Sequence, residues 1–197
     1  MKKRHAIAVL FVIFFLTMAL QAAEAKPKYV GSKKCGGCHK SEQLAWQVSI
    51  HAKAFDLLKP GKRKKAKKRA ELDPGKDYTA DKKCVKCHVT GYGEKGGYKD
   101  IKSTPNMLGV GCESCHGPGS KYVILHDEKM YGFGRSEAKA LGQTYGSEDE
   151  SVCMKCHGDK DSPFHEKIDP KYRFDWKAAL AKRKTFHPKK KKSSFAF

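Results

Sequence analysis

One five-residue pattern, Cys-x-x-Cys-His, occurs four times in the chain of 197 residues and contains all eight of its cysteines. The copies begin at Cys35, Cys84, Cys112 and Cys153. A disulfide scaffold requires no histidine after each second cysteine, and no thiol is left over for other chemistry. Cys-x-x-Cys-His is the attachment signal for c-type haem. The two thiols bond covalently to the porphyrin and the histidine binds the iron.

Zinc is the main alternative, because Cys-x-x-Cys pairs also form zinc ribbons. Zinc would need two pairs for each metal ion and no histidine in every pair. Histidine makes up only 9 of the 197 residues, so chance does not account for four copies. We therefore predict four covalently bound haems c. Their attachment residues are Cys35, Cys38, Cys84, Cys87, Cys112, Cys115, Cys153 and Cys156. Their proximal iron ligands are His39, His88, His116 and His157.

The first 25 residues have the pattern of an export signal. A basic start, Met1-Lys-Lys-Arg4, precedes an apolar stretch over residues 6–20 and the small-residue cleavage site Ala23-Glu-Ala25. An uncleaved anchor is the alternative, but the apolar stretch is shorter than the about 20 residues that span a bilayer. We expect a signal peptide over residues 1–25 and a periplasmic mature protein, since c-type haem is attached outside the bacterial cytoplasm.

The chain is strongly basic, with 41 Lys and Arg against 21 Asp and Glu and a net charge of +20. Nucleic acid is not an expected partner of an exported protein. Acidic redox proteins and anionic membrane surfaces suit this charge better. Residues 61–70 concentrate the charge, either as a solvated helix face or as a docking patch.

The expected fold class is mainly α, a compact multihaem cytochrome c with little regular β structure. Residues 26–187 have the size of one domain, and residues 188–197 read as a basic flexible tail. The hydrophobic fraction of 39% is low for an ordinary core, and porphyrin would supply the missing apolar surface.

Two helices are predicted outside the motifs. Ser41 is a plausible N-cap for a helix that continues to Leu58, and a final helix is expected over Asp175–Phe186. The apolar stripe of the first helix consists of Leu44, Val48, His51, Phe55 and Leu58.

Four histidines lie outside both the motifs and the signal peptide. They are His51, His126, His165 and His187. Their number equals the number of predicted haems, so composition alone favours two histidine ligands at every iron. Such closed haems move electrons and leave no coordination site for a substrate.

Longer stretches around the motifs are more specific than the motifs themselves. They include residues 31–39, His51-Ala-Lys-Ala-Phe55, residues 72–78 and Gly109-Val-Gly-Cys-Glu-Ser-Cys-His-Gly-Pro-Gly119. These stretches resemble the tetrahaem cytochrome c-554 family of ammonia-oxidising bacteria, whereas residues 129–151 match it poorly. The resemblance implies haems in closely packed pairs. It also implies electron transfer from hydroxylamine oxidoreductase toward a membrane-bound cytochrome.

The resemblance further implies which histidines share an iron. The implied pairs are His39 with His126, His116 with His51, and His157 with His187. It leaves the haem on His88 five-coordinate and open. Ser162-Pro163-Phe164 is similar to the turn that faces this open haem in the family, but the next residue, His165, departs from the pattern.

His165 therefore has three interpretations at this stage. It faces solvent or a propionate, which the scarcity of bulky apolar residues after it favours. It lines the open pocket with Phe164, or it binds the second iron. An electron carrier needs no catalytic residue. The alternatives are a reductase of nitric oxide or another small nitrogen oxide at an open haem, and a quinol-oxidising membrane cytochrome that keeps its leader as an anchor.

Overall fold

The computed structural model describes residues 26–129, 133–183 and 187, with the side chains of residues 126–129 left aside. This part of the chain forms nine short α-helices and three single-turn 3₁₀ helices. The α-helices are α1 (Ser32–Gly36), α2 (Lys40–Gln47), α3 (Lys64–Arg69), α4 (Lys82–His88), α5 (Cys112–His116), α6 (Tyr122–Lys129), α7 (Arg135–Ala140), α8 (Ser151–His157) and α9 (Trp176–Ala181). The 3₁₀ helices are Phe55–Leu58, Pro105–Met107 and Pro170–Tyr172.

Regular β structure is confined, within the described residues, to one isolated antiparallel bridge between Val89 and Leu108. The prediction of a mainly helical protein is confirmed. The predicted signal peptide, residues 1–25, and the predicted tail, residues 188–197, lie outside the described residues.

Each Cys-x-x-Cys-His motif lies on or beside a short helix. The helices α4, α5 and α8 end on the motif histidines His88, His116 and His157. In the first motif α1 ends at Gly36, yet the His39 amide still donates to the Cys35 carbonyl at 2.9 Å. Residues i, i+3 and i+4 share one helix face, so helical spacing points both thiols and the imidazole of a motif the same way.

The predicted helix from Ser41 to Leu58 is interrupted, and this expectation was wrong. Helix α2 ends at Gln47 and begins at Lys40, with His39 rather than Ser41 as its N-cap residue. Leu44 and Val48 are 56% and 72% exposed, whereas Phe55 and Leu58 are buried. The apolar stripe therefore divides into an exposed half and a buried half.

A serine explains the interruption. The Ser49 hydroxyl accepts a hydrogen bond from the Ala52 amide at 3.2 Å, which gives the backbone an alternative to the helical ladder. Its β-branched neighbours Val48 and Ile50 also disfavour helix. The chain turns here, and the His51 carbonyl accepts from the Val110 amide at 2.9 Å.

The final helix begins where it was predicted. The Asp175 carboxylate accepts from the Ala178 amide at 2.9 Å and caps α9. The helix ends at Ala181, earlier than predicted, and residues 184–186 lie outside the described residues.

A buried apolar cluster lies beside the second motif and includes its Val85. Its members are Phe55, Leu58, Tyr78, Val85, Val89, Tyr98 and Met107. Cys84 packs against the cluster, so the fold holds the second motif through apolar contacts.

Candidate haem centre

The thiols of the four motifs meet in pairs. The Cys35 thiol is hydrogen-bonded to Cys112, and this bond together with burial raises the pKa of Cys35. The same bond lowers the pKa of Cys112 to about 7, although burial acts in the opposite direction. The Cys87 thiol is hydrogen-bonded to Cys156 in the same way. None of the eight cysteines forms a disulfide, and all lie among the described residues. The first motif therefore adjoins the third, and the second adjoins the fourth.

The third and fourth motifs connect the two pairs. Helices α5 and α8 pack against each other. Burial, and then the charge of Cys153, raises the pKa of the Cys115 thiol to about 11. The four motifs thus form a spatial series in the order first, third, fourth, second, which differs from their order along the chain.

The motif histidines are held in a form suited to binding a metal ion. The Nδ1 atom of His88 lies 2.6 Å from the Ala54 carbonyl oxygen, and Nδ1 of His116 lies 3.2 Å from that of Thr144. A carbonyl oxygen only accepts, so Nδ1–H donates and Nε2 keeps its lone pair for a metal. Burial lowers the pKa of His88, His116 and His157, which favours the neutral, ligating ring.

Two further histidines lie opposite motif histidines. The ring centre of His51 lies 6.3 Å from that of His157, and His187 lies 5.7 Å from His116. Two imidazoles on opposite sides of one metal ion, with metal–nitrogen bonds of about 2 Å, have ring centres about 6 Å apart. The residues present therefore fit an iron held between two imidazoles. The proximity is the reverse of the implied pairing, in which His51 meets His116 and His187 meets His157.

The first site is only partly described. His39 is the N-cap residue of α2 and interacts electrostatically with both His116 and His187, which places it beside the third site. Its implied partner His126 belongs to α6, and the side chain of His126 lies outside the described residues. The assignment of His126 stays a prediction.

His165 is buried, so it does not face solvent, while the propionate contact allowed by the same interpretation stays a prediction. Its side chain is 9% exposed, and the Phe164 ring beside it packs edge-on against Tyr172. The Nδ1 atom of His165 accepts the Lys167 amide at 3.2 Å. In the neutral ring the proton is then on Nε2, which is the opposite tautomer to that of His88. This tautomer donates a hydrogen bond through Nε2 and has no lone pair there for iron.

His165 also lies near the second motif. Its side chain interacts electrostatically with Asp159, and the Asp159 carboxylate pairs with Lys86 at 2.5 Å. Lys86 belongs to the second motif, Cys84-Val-Lys-Cys87, and directly precedes its second cysteine. The ion pair ties the loop that carries Phe164 and His165 to the second motif.

A buried carboxylate between the third-motif cysteines was not predicted. Glu113 is 1% exposed and accepts from the amides of Val30 at 2.9 Å, Gly31 at 2.7 Å and Gly119 at 2.6 Å. The Ser32 hydroxyl oxygen accepts a further hydrogen bond from the Cys112 amide at 3.1 Å. Glu113 thus fastens the segment before the first motif to the third motif. The sequence signal for this role is that Glu113 is the one acidic residue in the glycine-rich stretch of residues 109–119, which is the stretch most specific for the family.

Aromatic rings also orient the motif histidines. Phe174 stacks on His157 with ring centres 4.2 Å apart, and Tyr145 meets His116 edge-on at 5.8 Å. Phe174 belongs to the weakly matching end of the chain, and Tyr145 to the stretch that matched poorly, so neither was assigned a role from sequence.

The described residues form neither a direct metal-binding cluster nor a membrane-spanning helix. They contain no cluster of three or more His, Cys, Asp or Glu side chains placed to hold a metal ion directly. None of the described helices is long and apolar enough to cross a membrane.

A mainly helical chain with four Cys-x-x-Cys-His motifs in spatial series, and with neutral imidazoles facing one another, is a multihaem c-type cytochrome. Residues 34–117 match the family model described as cytochrome c554 and c-prime. The chain is 37% identical to cytochrome c-554 of Nitrosomonas europaea over 95% of its length and 86% of that protein. A solved structure of reduced cytochrome c554 from the same organism is similar, with a TM-score of 0.72 and 39% identity. That match covers 80% of this chain and 84% of the other.

The chain belongs to the cytochrome c-554 family. It is a haem c protein and a c-type cytochrome that carries electrons. Redox proteins are therefore its partners.

Proposed function

We propose that this protein is a periplasmic relay that accepts electrons from a hydroxylamine oxidoreductase-like donor and delivers them to a membrane-bound cytochrome. When bound, haem c supplies a one-electron iron couple at each motif. The observation that carries the proposal is the unbroken series of motifs, first to third to fourth to second. A series with two different ends suits a protein that meets one partner at each end.

The donor is tested by mixing the oxidised holoprotein with hydroxylamine oxidoreductase and hydroxylamine in a stopped-flow spectrophotometer. We expect rapid reduction of the haem absorption bands, and no reduction when the oxidoreductase is left out. Failure of the complete mixture to reduce a protein that a small chemical reductant does reduce would remove this donor.

The location is tested by the mass of the protein purified from periplasmic extracts. We expect a mature chain that starts at Lys26 and carries four haems. A mass that includes residues 1–25 would instead support the membrane-anchored, quinol-oxidising alternative.

The axial pairs that we propose are His157 with His51 and His116 with His187, because those rings face each other at metal-bridging separation. His39 with His126 completes the set that the family resemblance implies. His88 then has no histidine partner, and His165 is a hydrogen-bond donor beside that site rather than a ligand.

Electron paramagnetic resonance of the oxidised holoprotein tests these pairs. We expect one high-spin haem in the wild type, a second one in His51→Ala, and no change in spin count in His165→Ala. Magnetic resonance of the iron-bound rings identifies the partner: loss of His51 must perturb His157 and not His116. An all-low-spin wild type that gains a high-spin haem in His165→Ala would show that His165 is a ligand.

A second candidate function, reduction of a small nitrogen oxide, is favoured by one observation. His165 is buried near the second motif and presents a donor nitrogen, the kind of group that stabilises a developing negative charge. Catalytic consumption of nitric oxide by the reduced holoprotein, lowered in His165→Ala but not in the neighbouring surface variant Lys167→Ala, would support it. An optical spectrum that nitric oxide leaves unchanged would exclude it.

A further inference from the structure

Six cations of one short segment project outward together. We call them the basic ridge: Lys62, Arg63, Lys64, Lys65, Lys68 and Arg69. All six side chains are exposed, and four of them belong to helix α3. From the sequence alone this segment is either a solvated helix face or a docking patch, and four features of the structure favour a docking patch.

Lys67 lies within the same segment but is buried, and it anchors the ridge. Lys67 is 4% exposed, and its Nζ donates to the Lys59 carbonyl at 2.9 Å and lies 5.1 Å from the centre of the Tyr78 ring. Its own carbonyl accepts from the Leu72 amide at 2.9 Å. A buried lysine is rare unless its ammonium group is satisfied. Lys67 therefore fixes the orientation of α3 and with it the outward direction of its neighbours.

The backbone on either side of α3 is also constrained. Arg63 and Glu71 adopt left-handed φ values of 53° and 57°, although neither is glycine. This conformation is uncommon for such residues and persists only where the surrounding structure enforces it. A segment that needed only to be soluble would not require two such turns.

The ridge is electrostatically unbalanced. Among the described residues, no ion pair involves any of its six cations. Like charges three or four residues apart on a helix destabilise it. Four of the cations, Arg63, Lys64, Lys65 and Arg69, line a shallow surface depression around Ala66. An anionic group that enters this depression removes the repulsion.

The ridge lies at one end of the motif series. The anchor Lys67 lies over the ring of Tyr78, and Tyr78 belongs to the apolar cluster that contains Val85 of the second motif. The charge of Arg69 acts on Lys171, which follows the loop of Phe164 and His165. The second motif ends the series, so a protein bound at the ridge lies close to a terminal site.

We propose that the basic ridge is the docking surface for an acidic redox protein that exchanges electrons at the second-motif end of the series. This rests on the electron-carrier function proposed above. A single-stranded nucleic acid site would contain aromatic residues for stacking, and residues 61–70 contain none. A membrane-surface site would add exposed apolar side chains, and the large exposed ones described lie elsewhere in the chain.

The test is a pair of charge-matched double variants of the holoprotein. Lys64→Glu with Lys68→Glu reverses two ridge cations on one helix face. Lys33→Glu with Lys40→Glu makes the same charge change at exposed positions beside the first motif. Each is mixed with reduced plant-type ferredoxin, an acidic electron donor, and the second-order rate of haem reduction is measured from low to high ionic strength.

At low ionic strength we expect the ridge variant to be reduced about 10-fold more slowly than the wild type, with a flatter dependence on salt. The first-motif variant is expected to stay within about 2-fold of the wild type, since its cations lie away from the docking surface. Equal losses in the two variants, or a larger loss at the first motif, would overturn the proposal.

Two controls separate this proposal from its premise. The neutral 5-deazaflavin radical should reduce all three proteins at equal rates, because it has no charge to steer. If it reduces none of them, the electron-carrier function itself fails. If the ridge variant loses only its binding to anionic phospholipid vesicles, with an unchanged rate from ferredoxin, the ridge is a membrane-binding surface and the docking proposal fails.

Discussion

The two motif pairs are held by different forces. The contacts between the first and third motifs are polar, and most of them join residues that are far apart in the sequence. Glu113 accepts hydrogen bonds from three backbone amides, and the Trp46 indole donates to the Val110 carbonyl at 2.8 Å. Around the second motif lies the apolar cluster of Phe55 and its neighbours. One ion pair, Lys86 with Asp159, connects that motif to the fourth.

The difference has a functional meaning. A hydrogen-bonded clamp has one geometry, so it holds the first and third motifs in a defined relation. An apolar cluster resists unfolding without specifying direction as strictly. The polar half therefore holds the first and third motifs at a fixed separation, and the apolar half supports the end of the series where His165 and the basic ridge, the proposed docking surface, lie.

Phe55→Ala should cause the largest loss and should confine it to the second-motif half. The ring is 4% exposed and lies 6.0 Å from the Tyr98 ring, so truncation leaves a cavity in the apolar cluster. We expect the free energy of unfolding to fall by about 3–5 kcal/mol. Guanidinium titration of the holoprotein measures it. Hydrogen exchange should quicken at Val85 and Val89.

Ile101→Ala is the matched control, since Ile101 is 49% exposed. It should change the unfolding free energy by no more than about 0.5 kcal/mol. A similar loss in both variants would mean that the apolar cluster does not hold the second motif.

Glu113→Gln should weaken the other half by a smaller amount. The amide keeps one acceptor oxygen and turns a donor toward backbone amides that need an acceptor. We expect a loss of about 2–3 kcal/mol, with faster hydrogen exchange at Gly31 and Gly119. Glu94→Gln changes an exposed carboxylate in the same way and should be near neutral. Faster exchange spread evenly over both halves would contradict the division between them.

Lys86→Met should have the smallest effect, and the effect should depend on pH. The hydrogen bond from Lys86 holds the pKa of Asp159 below its ordinary value of 3.8. The stabilisation is therefore complete above pH 3.8 and is lost as pH falls through the lower pKa of the folded state. Since Lys86 is 38% exposed and solvent screens the ion pair, we expect the loss at neutral pH to be smaller than in Glu113→Gln.

Unfolding titrations at several pH values measure this contribution. The curves of wild type and Lys86→Met should converge in acid, whereas Lys83→Met, on the same helix and exposed, should follow the wild type throughout. A constant gap between the curves would rule out the ion pair as the cause.

Local features of this fold could be predicted from the sequence. The motif spacing implies residues on one helix face, and α4, α5 and α8 bear this out. Asp175 caps α9 as expected, because N-cap chemistry depends only on neighbouring residues. The family resemblance likewise followed from contiguous stretches.

Features that depend on distant residues could not be predicted. The apolar residues keep helical spacing across Ser49, which predicted an unbroken helix. The hydrogen bond from the Ala52 amide to the Ser49 hydroxyl and the bond from the Val110 amide to the His51 carbonyl determine a turn there instead. The burial of His165 depends on how its loop packs against Tyr172 and Asp159, and the residues after it suggested exposure. Which imidazole faces which motif is likewise a tertiary property that a count of histidines does not contain.

The facing rings of His51 and His157 also bear on the order of assembly. Each cysteine pair sits within a single helical turn, and short helices form within about a microsecond. The rings of His51 and His157, by contrast, meet only when a loop of more than half of the chain closes. Closing that loop costs conformational entropy that forming a local helix does not. Covalent attachment can therefore proceed on a chain that is still largely unfolded, whereas His51, the second ligand that we propose for the iron of His157, arrives only with the completed tertiary structure.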